Sequence, residues 1–185
     1  TSTPQLLHAR SLLTQQDAVT VAAALLFAKT PQTSLPHAEV RLLKYATKER
    51  GTGTRQSLVE GHDVRLGGSI PQMIREAIKI LDTWVPARRA LRPDGTFGAI
   101  PSIPRDAWIE GLVNAVVHRS YSAAGDHIRV AVFPDRIEIE SPGRFPGLVD
   151  PAQPLTINRY ARNPRIARAC GDLGITQELG EGIKR

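Results

Sequence analysis

PRDAWIEGLVNAVVHRSY, residues 104–121, carries the strongest helical pattern next to a row of polar groups in this chain. It predicts one helix. Pro104 suits a first helical position, where its missing N–H costs nothing. Asp106 places a carboxylate in the first turn, where the helix dipole favours it. Ala107, Ile109, Leu112, Val113, Val116 and Val117 recur at helical spacing and make a broad apolar face. Glu110, Asn114 and His118 stand four apart, so they form a row along one side of that helix. A carboxylate, an amide and an imidazole in line suit chemistry. They equally suit an ordinary solvated flank.

Working outward, residues 127–140 give the best hairpin in the chain. Ile128, Val130 and Val132 alternate, Pro134-Asp135 supplies the turn, and Ile137 and Ile139 return. Residues 141–158 are rich in Pro and Gly without regular pattern, as functional loops often are. PRIARAC then predicts a short helix with Asn163 as its cap, and Gly180-Glu181-Gly182 leads into another. Upstream, residues 1–16 suggest a short helix at an edge. Residues 17–29 predict a buried helix capped by Asp17. Residues 37–47 and the run HDVRL predict strands, with the glycine loop KERGTGTR between them. That loop lacks the GxxxxGK[ST] pattern and is expected as a solvated basic connection. Ser69 caps an amphipathic helix over 70–85, and two short strands flank the turn signal RPDG.

The composition bounds the function. The chain has 185 residues with 41% hydrophobic, enough for one or two compact domains. The longest apolar run, 19–28, is far short of the roughly 20 residues of a membrane span. No membrane partner is expected. The single Cys170 excludes an internal disulfide framework and a multi-cysteine zinc site, which fits a cytoplasmic protein. Cys170, Trp84 and Trp108 are expected as packing residues. A net charge of +6 permits a polyanionic partner, or serves only solubility. The arginines at 159, 162, 165 and 168 suit phosphate contacts or a solvated helix face. His118-Arg119 suits the negative end of the helix dipole. The start, TSTPQLL, and the end, GIKR, give the expectation of a fragment of a longer protein.

Three pieces carry chemistry: the row Glu110, Asn114 and His118; Ser141-Pro142-Gly143 after the hairpin; and Gly180 with Gly182 before a helix. Glycines ahead of a helix let backbone N–H groups face an anion. An Asn carbonyl oxygen can ligate Mg²⁺ with phosphates completing the shell. A nearby Glu can orient or deprotonate water.

The runs EGLVNAVVHRSY, IRVAVFPDRIEIESPG, RNPRIA and ELGEGIKR together resemble the C-terminal region of bacterial proteins named as RecG-related ATP-dependent DNA helicases or transcriptional regulators. In that family a Schlafen/AlbA-type DNA-binding domain precedes the region. The region is in turn similar to the Bergerat-fold, histidine-kinase-type ATPases. The resemblance implies ATP with Mg²⁺ as cofactors, Asn114 as the metal ligand and Glu110 as the base for water attack. It implies His118, Ser141, Gly143, Gly180 and Gly182 as cofactor-binding positions. Ser141 stands where the family's second motif has the Asp that reads adenine. A helicase motor needs a Walker A loop, which the sequence lacks, so unwinding is not expected.

The sequence therefore predicts an α/β (α+β) chain. Residues 1–85 form a small α/β connecting region. Residues 86–185 form a Bergerat-like antiparallel sheet with helices on one face, truncated at its C-terminus. The expected role is DNA-associated regulation with an ATP-binding module that is degenerate to some degree. DNA is expected to bind through the full-length protein, and a homo-oligomer is expected. The alternative is a non-catalytic interaction or dimerisation scaffold with no nucleotide.

Overall fold

The structure, a computed structural model, describes residues 2–91, 94–144 and 161–176. In chain order its elements are α1 (Thr3–Ala9), α2 (Val21–Phe27), β1 (Val40–Tyr45), β2 (Leu58–Leu66), α3 (Ile70–Trp84), β3 (Ala87–Leu91), β4 (Phe97–Pro101), α4 (Arg105–Val117), β5 (Ile128–Val132), β6 (Ile137–Glu140) and α5 (Pro164–Asp172). The mixed α/β class and the paired strands agree with the sequence reading.

The main sheet has the order β2-β1-β5-β6. Its outer pairs are antiparallel, β1 with β2 and β5 with β6. Its central pair departs from the expected antiparallel sheet: β1 runs parallel to β5, with Val40 opposite Ile128 and Leu42 opposite Val130. Parallel neighbours need a long crossover. Here it contains β2, α3, the β3–β4 hairpin and α4. The sheet thus takes two strands from residues 1–85 and two from residues 86–185.

One face carries the core. Val40, Leu42, Ile128, Val130 and Val132 project towards α2, α3, α4 and α5, and all are buried. This bears out helices on one face. α3 follows its 3.6-residue pattern closely, burying Ile70, Met73, Ile74, Ala77, Leu81 and Trp84. Fully burying each large apolar side chain stabilises by about 1.5–3 kcal/mol. α4 buries Trp108, Leu112, Val113, Val116 and Val117. Its Gly111 lets the helix approach β6, because a Cβ there would stand 2.9 Å from Ile139 Cδ1.

The opposite face holds a smaller cluster of Leu43, Tyr45, Ala131 and Phe133, with the Tyr45 and Phe133 rings stacked 4.7 Å apart. The basic glycine loop belongs to this face rather than to solvent alone. Arg50 donates to Glu138 and, at 2.6 Å, to Glu140, and so draws the loop over the strands. Three expected side-chain caps are not made, the Ser69 side chain having no cap hydrogen bond to α3. Thr20 caps α2 by accepting from the Ala23 N–H, while Asp17 pairs with His8 at 2.6 Å. Asn163 precedes α5, but its side chain makes no cap bond to that helix.

Candidate functional site: the polar row and C-terminal end of α4

An α-helix ends with four backbone carbonyls that have no partner of its own. In α4 only one of them is closed locally, Asn114 O by the His118 N–H at 2.9 Å. The next three accept side chains from three separate segments. Ser141 Oγ donates to Ala115 O at 2.8 Å. The Tyr121 hydroxyl donates to Val116 O at 3.0 Å, and burial pushes its pKa well up. Asn163 Nδ2 donates to Val117 O at 2.8 Å and also to Arg119 O at 2.8 Å. The helix end is a junction of α4, the 141–144 loop and the start of α5.

Arg119 completes the junction. It is 2% exposed. Its guanidinium donates to the carbonyls of Ser120 (2.9 Å), Ala123 (3.3 Å) and Asp126 (2.6 Å), and it lies 5.0 Å from the Tyr121 ring. Burial lowers its pKa. The sequence reading placed Arg119 with His118 as a cation at the helix end. Instead Arg119 organises the loop into β5. His118 is the C-cap residue, and desolvation with the nearby Arg162 charge lowers its pKa, so it is not the expected helix-end cation at neutral pH.

Gly143 has φ +129, and a Cβ there would stand 3.0 Å from Ser120 Cβ and 3.3 Å from the Arg162 guanidinium carbon. Arg162 donates to the Arg144 carbonyl, and its buried Nε has no partner among the described residues. The structure thus gathers His118, Ser141 and Gly143 around one end of α4. Asn114 and Glu110 lie one and two turns back along the same helix. Asn114 is exposed and Glu110 half-buried. Neither has a side-chain hydrogen bond among the described residues. Gly180 and Gly182 lie outside the described residues.

A metal is not preformed here: among the described residues no cluster of three or more His, Cys, Asp or Glu could hold one. A single amide oxygen at Asn114 nonetheless suits Mg²⁺ that brings its other ligands with phosphates. The position expected to read adenine does not fit. A hydroxyl bonded to Ala115 O stands where a carboxylate acceptor would be needed. Sequence reasoning missed Tyr121 and Asn163 as donors to the end of α4. Only the short spacing of HRSY hinted at the first.

A family model described as "Putative ATP-dependent DNA helicase recG C-terminal" matches residues 125–185. That third of the chain is similar to this ATPase-like region. The match includes β5, β6, Ser141, Gly143 and Arg162 but stops short of α4. The DIP2311 protein from Corynebacterium diphtheriae, seen in a crystal structure, superposes with a TM-score of 0.72 at 23% identity over 98% of this chain. The likeness shows a shared fold, and this chain spans 35% of that protein's length. No curated protein matches. Among the described residues no helix is long and apolar enough to cross a membrane.

Proposed function

We propose that the chain is part of a DNA-associated regulatory protein whose 86–185 module binds a nucleotide against α4. Residues 1–85 act as the connecting region, although both segments contribute strands to one sheet. The observation that carries the reading is the polar row itself. Asn114 and Glu110 keep unengaged polar groups among the described residues, on the helix that feeds directly into the segment similar to the ATPase-like family. In this reading Asn114 ligates Mg²⁺, and His118, Gly143, Gly180 and Gly182 border the phosphates. Glu110 holds a water or its proton. A bound nucleotide supplies a phosphoanhydride as the scissile group. Ser141 holds the helix end rather than the base.

The commitment of Ser141 to Ala115 O favours a second reading, a non-catalytic dimerisation or interaction scaffold. Calorimetric titration with ATP and Mg²⁺ separates the two. Binding by the wild-type chain that disappears in Asn114→Ala supports the nucleotide module. No heat at millimolar nucleotide in a chain extended beyond residue 185 supports the scaffold.

A further inference from the structure

β3 and β4 pair with each other and, among the described residues, with no other strand. A two-stranded ribbon is marginal by itself, so what it displays needs a reason. Alternation puts Ala87, Arg89 and Leu91 on one face with their partners Pro101, Ala99 and Phe97. Arg88 and Ala90 take the other face with Ile100 and Gly98. Leu91 and Phe97 oppose each other at the turn end, 58% and 67% exposed. Arg88 and Arg89 are exposed on opposite faces, and neither has an ion-pair or hydrogen-bond partner among the described residues. The carboxylate in the turn, Asp94, is engaged by the Thr96 N–H and hydroxyl at 2.9 and 2.7 Å. On and over the main sheet, by contrast, Arg41, Arg50, Arg129 and Arg136 all pair with carboxylates. Unpaired cations occur elsewhere among the described residues, Arg75 and Arg165 for example, but the ribbon places two of them beside an exposed apolar tip, Leu91 and Phe97.

We propose that the β3–β4 ribbon is an arm that enters a groove of duplex DNA, with Arg88 and Arg89 on the phosphates of the two walls and Phe97 and Leu91 against the base steps. The proposal rests on the DNA-associated reading above and names its surface. A two-stranded ribbon fits the width of the major groove. Apolar wedges flanked by basic residues also enter the minor groove by unstacking a step. A second copy of this chain fits less well. Two strands of five residues present a face of roughly 17 by 10 Å. That is far below the ~800 Å² per partner of a stable dimer.

The test is fluorescence anisotropy of a labelled duplex of about two helical turns, titrated with the whole chain across a salt series. The double variant Arg88→Gln/Arg89→Gln is expected to bind at least tenfold more weakly, with the slope of log K against log salt smaller by about two. Phe97→Ser is expected to weaken binding severalfold with the slope unchanged. Single Arg89→Gln, with about half the slope change, serves if the double variant loses its thermal unfolding transition. Wild-type binding with variants indistinguishable from it overturns the arm and leaves the DNA reading standing. No wild-type binding even at low salt overturns the arm. A wild-type dimer that Phe97→Ser converts to monomer in light scattering overturns the arm in favour of a second copy.

Discussion

Asn163 Nδ2 stands 2.8 Å from the Val117 carbonyl oxygen, a bond between residues 46 positions apart that ties the start of α5 to the end of α4. The same amide nitrogen reaches Arg119 O. One side chain thereby satisfies the last carbonyl of α4, which the helix cannot satisfy itself, and a second just beyond its cap.

Replacing Asn163 by Ala leaves both acceptors short of a donor, at about 1–3 kcal/mol. Asn163→Asp keeps the shape and removes the donors, so it is expected to lose at least as much. Urea unfolding reads this as a fall in midpoint with an unchanged slope. A variant as stable as the wild type would mean that solvent satisfies this helix end.

Ser141→Asp installs the residue of the family's adenine-reading motif. A carboxylate cannot donate to Ala115 O, so the variant is expected to lose about 1–3 kcal/mol of stability without gaining affinity for ATP. Ser141→Ala is expected to lose about 1 kcal/mol. Paired melting curves and nucleotide titrations check both. Tighter nucleotide binding by Ser141→Asp would show that position 141 faces the base after all.

The junction explains what the sequence could and could not tell. α3 and α4 were legible because Ile70, Met73, Ile74, Ala77 and Leu81, and Leu112, Val113, Val116 and Val117, repeat at 3.6-residue spacing on single helices. The β5–β6 hairpin was legible from local alternation around Pro134-Asp135. The parallel pairing of Val40 with Ile128 was not, because nothing local encodes which distant strand becomes a neighbour. Asn163 before Pro164 carries a local cap signature, yet the last carbonyl of another helix and one just past its cap take its amide. Ser141 looked like a departure from a catalytic motif, while its hydroxyl closes a helix end. In the candidate site, the row Glu110, Asn114 and His118 was visible as spacing on one helix. Ser141 and Gly143 were visible as a motif, but Tyr121, Asn163 and Arg162 around them were not, because no local pattern shows that segments 120–126 and 162–163 meet the end of α4.

Acid is expected to destabilise the fold through two histidines. Desolvation, and then Arg162, holds His118 below its ordinary 6.5. Desolvation with Arg65 and Arg129 does the same to His127, against the opposing pull of Glu39 and Asp126. The unfolded chain takes up protons that the folded chain resists, so stability rises with pH between the folded values and 6.5. It is lost as pH falls below about 6.5. Unfolding midpoints measured from about pH 8 to 5 check this. His118→Gln should flatten the slope in part, leaving the share due to His127. A slope unchanged by His118→Gln would show that neither desolvation nor Arg162 holds that exposed histidine below its ordinary value.

Gly51 is expected to resist substitution. Its φ is +69, and a Cβ there would stand 2.1 Å from Arg55 O. That contact is with backbone, so the loop must move, and the Arg50 bonds to Glu138 and Glu140 move with it. Gly51→Ala should lower stability by about 1–3 kcal/mol in denaturant titration. A neutral result would show that the loop's place over the sheet is not fixed by this turn.

The most direct test of the central claim, nucleotide binding against α4, is an NMR titration of the isotope-labelled chain with ATP carrying Mn²⁺ in place of Mg²⁺. Paramagnetic broadening reports where the metal sits. The Glu110, Asn114 and His118 amide signals are expected to broaden first, Asn114→Ala to abolish the effect, and excess Mg²⁺ to reverse it. Broadening centred elsewhere, or none with saturating Mn²⁺ and nucleotide, would contradict it.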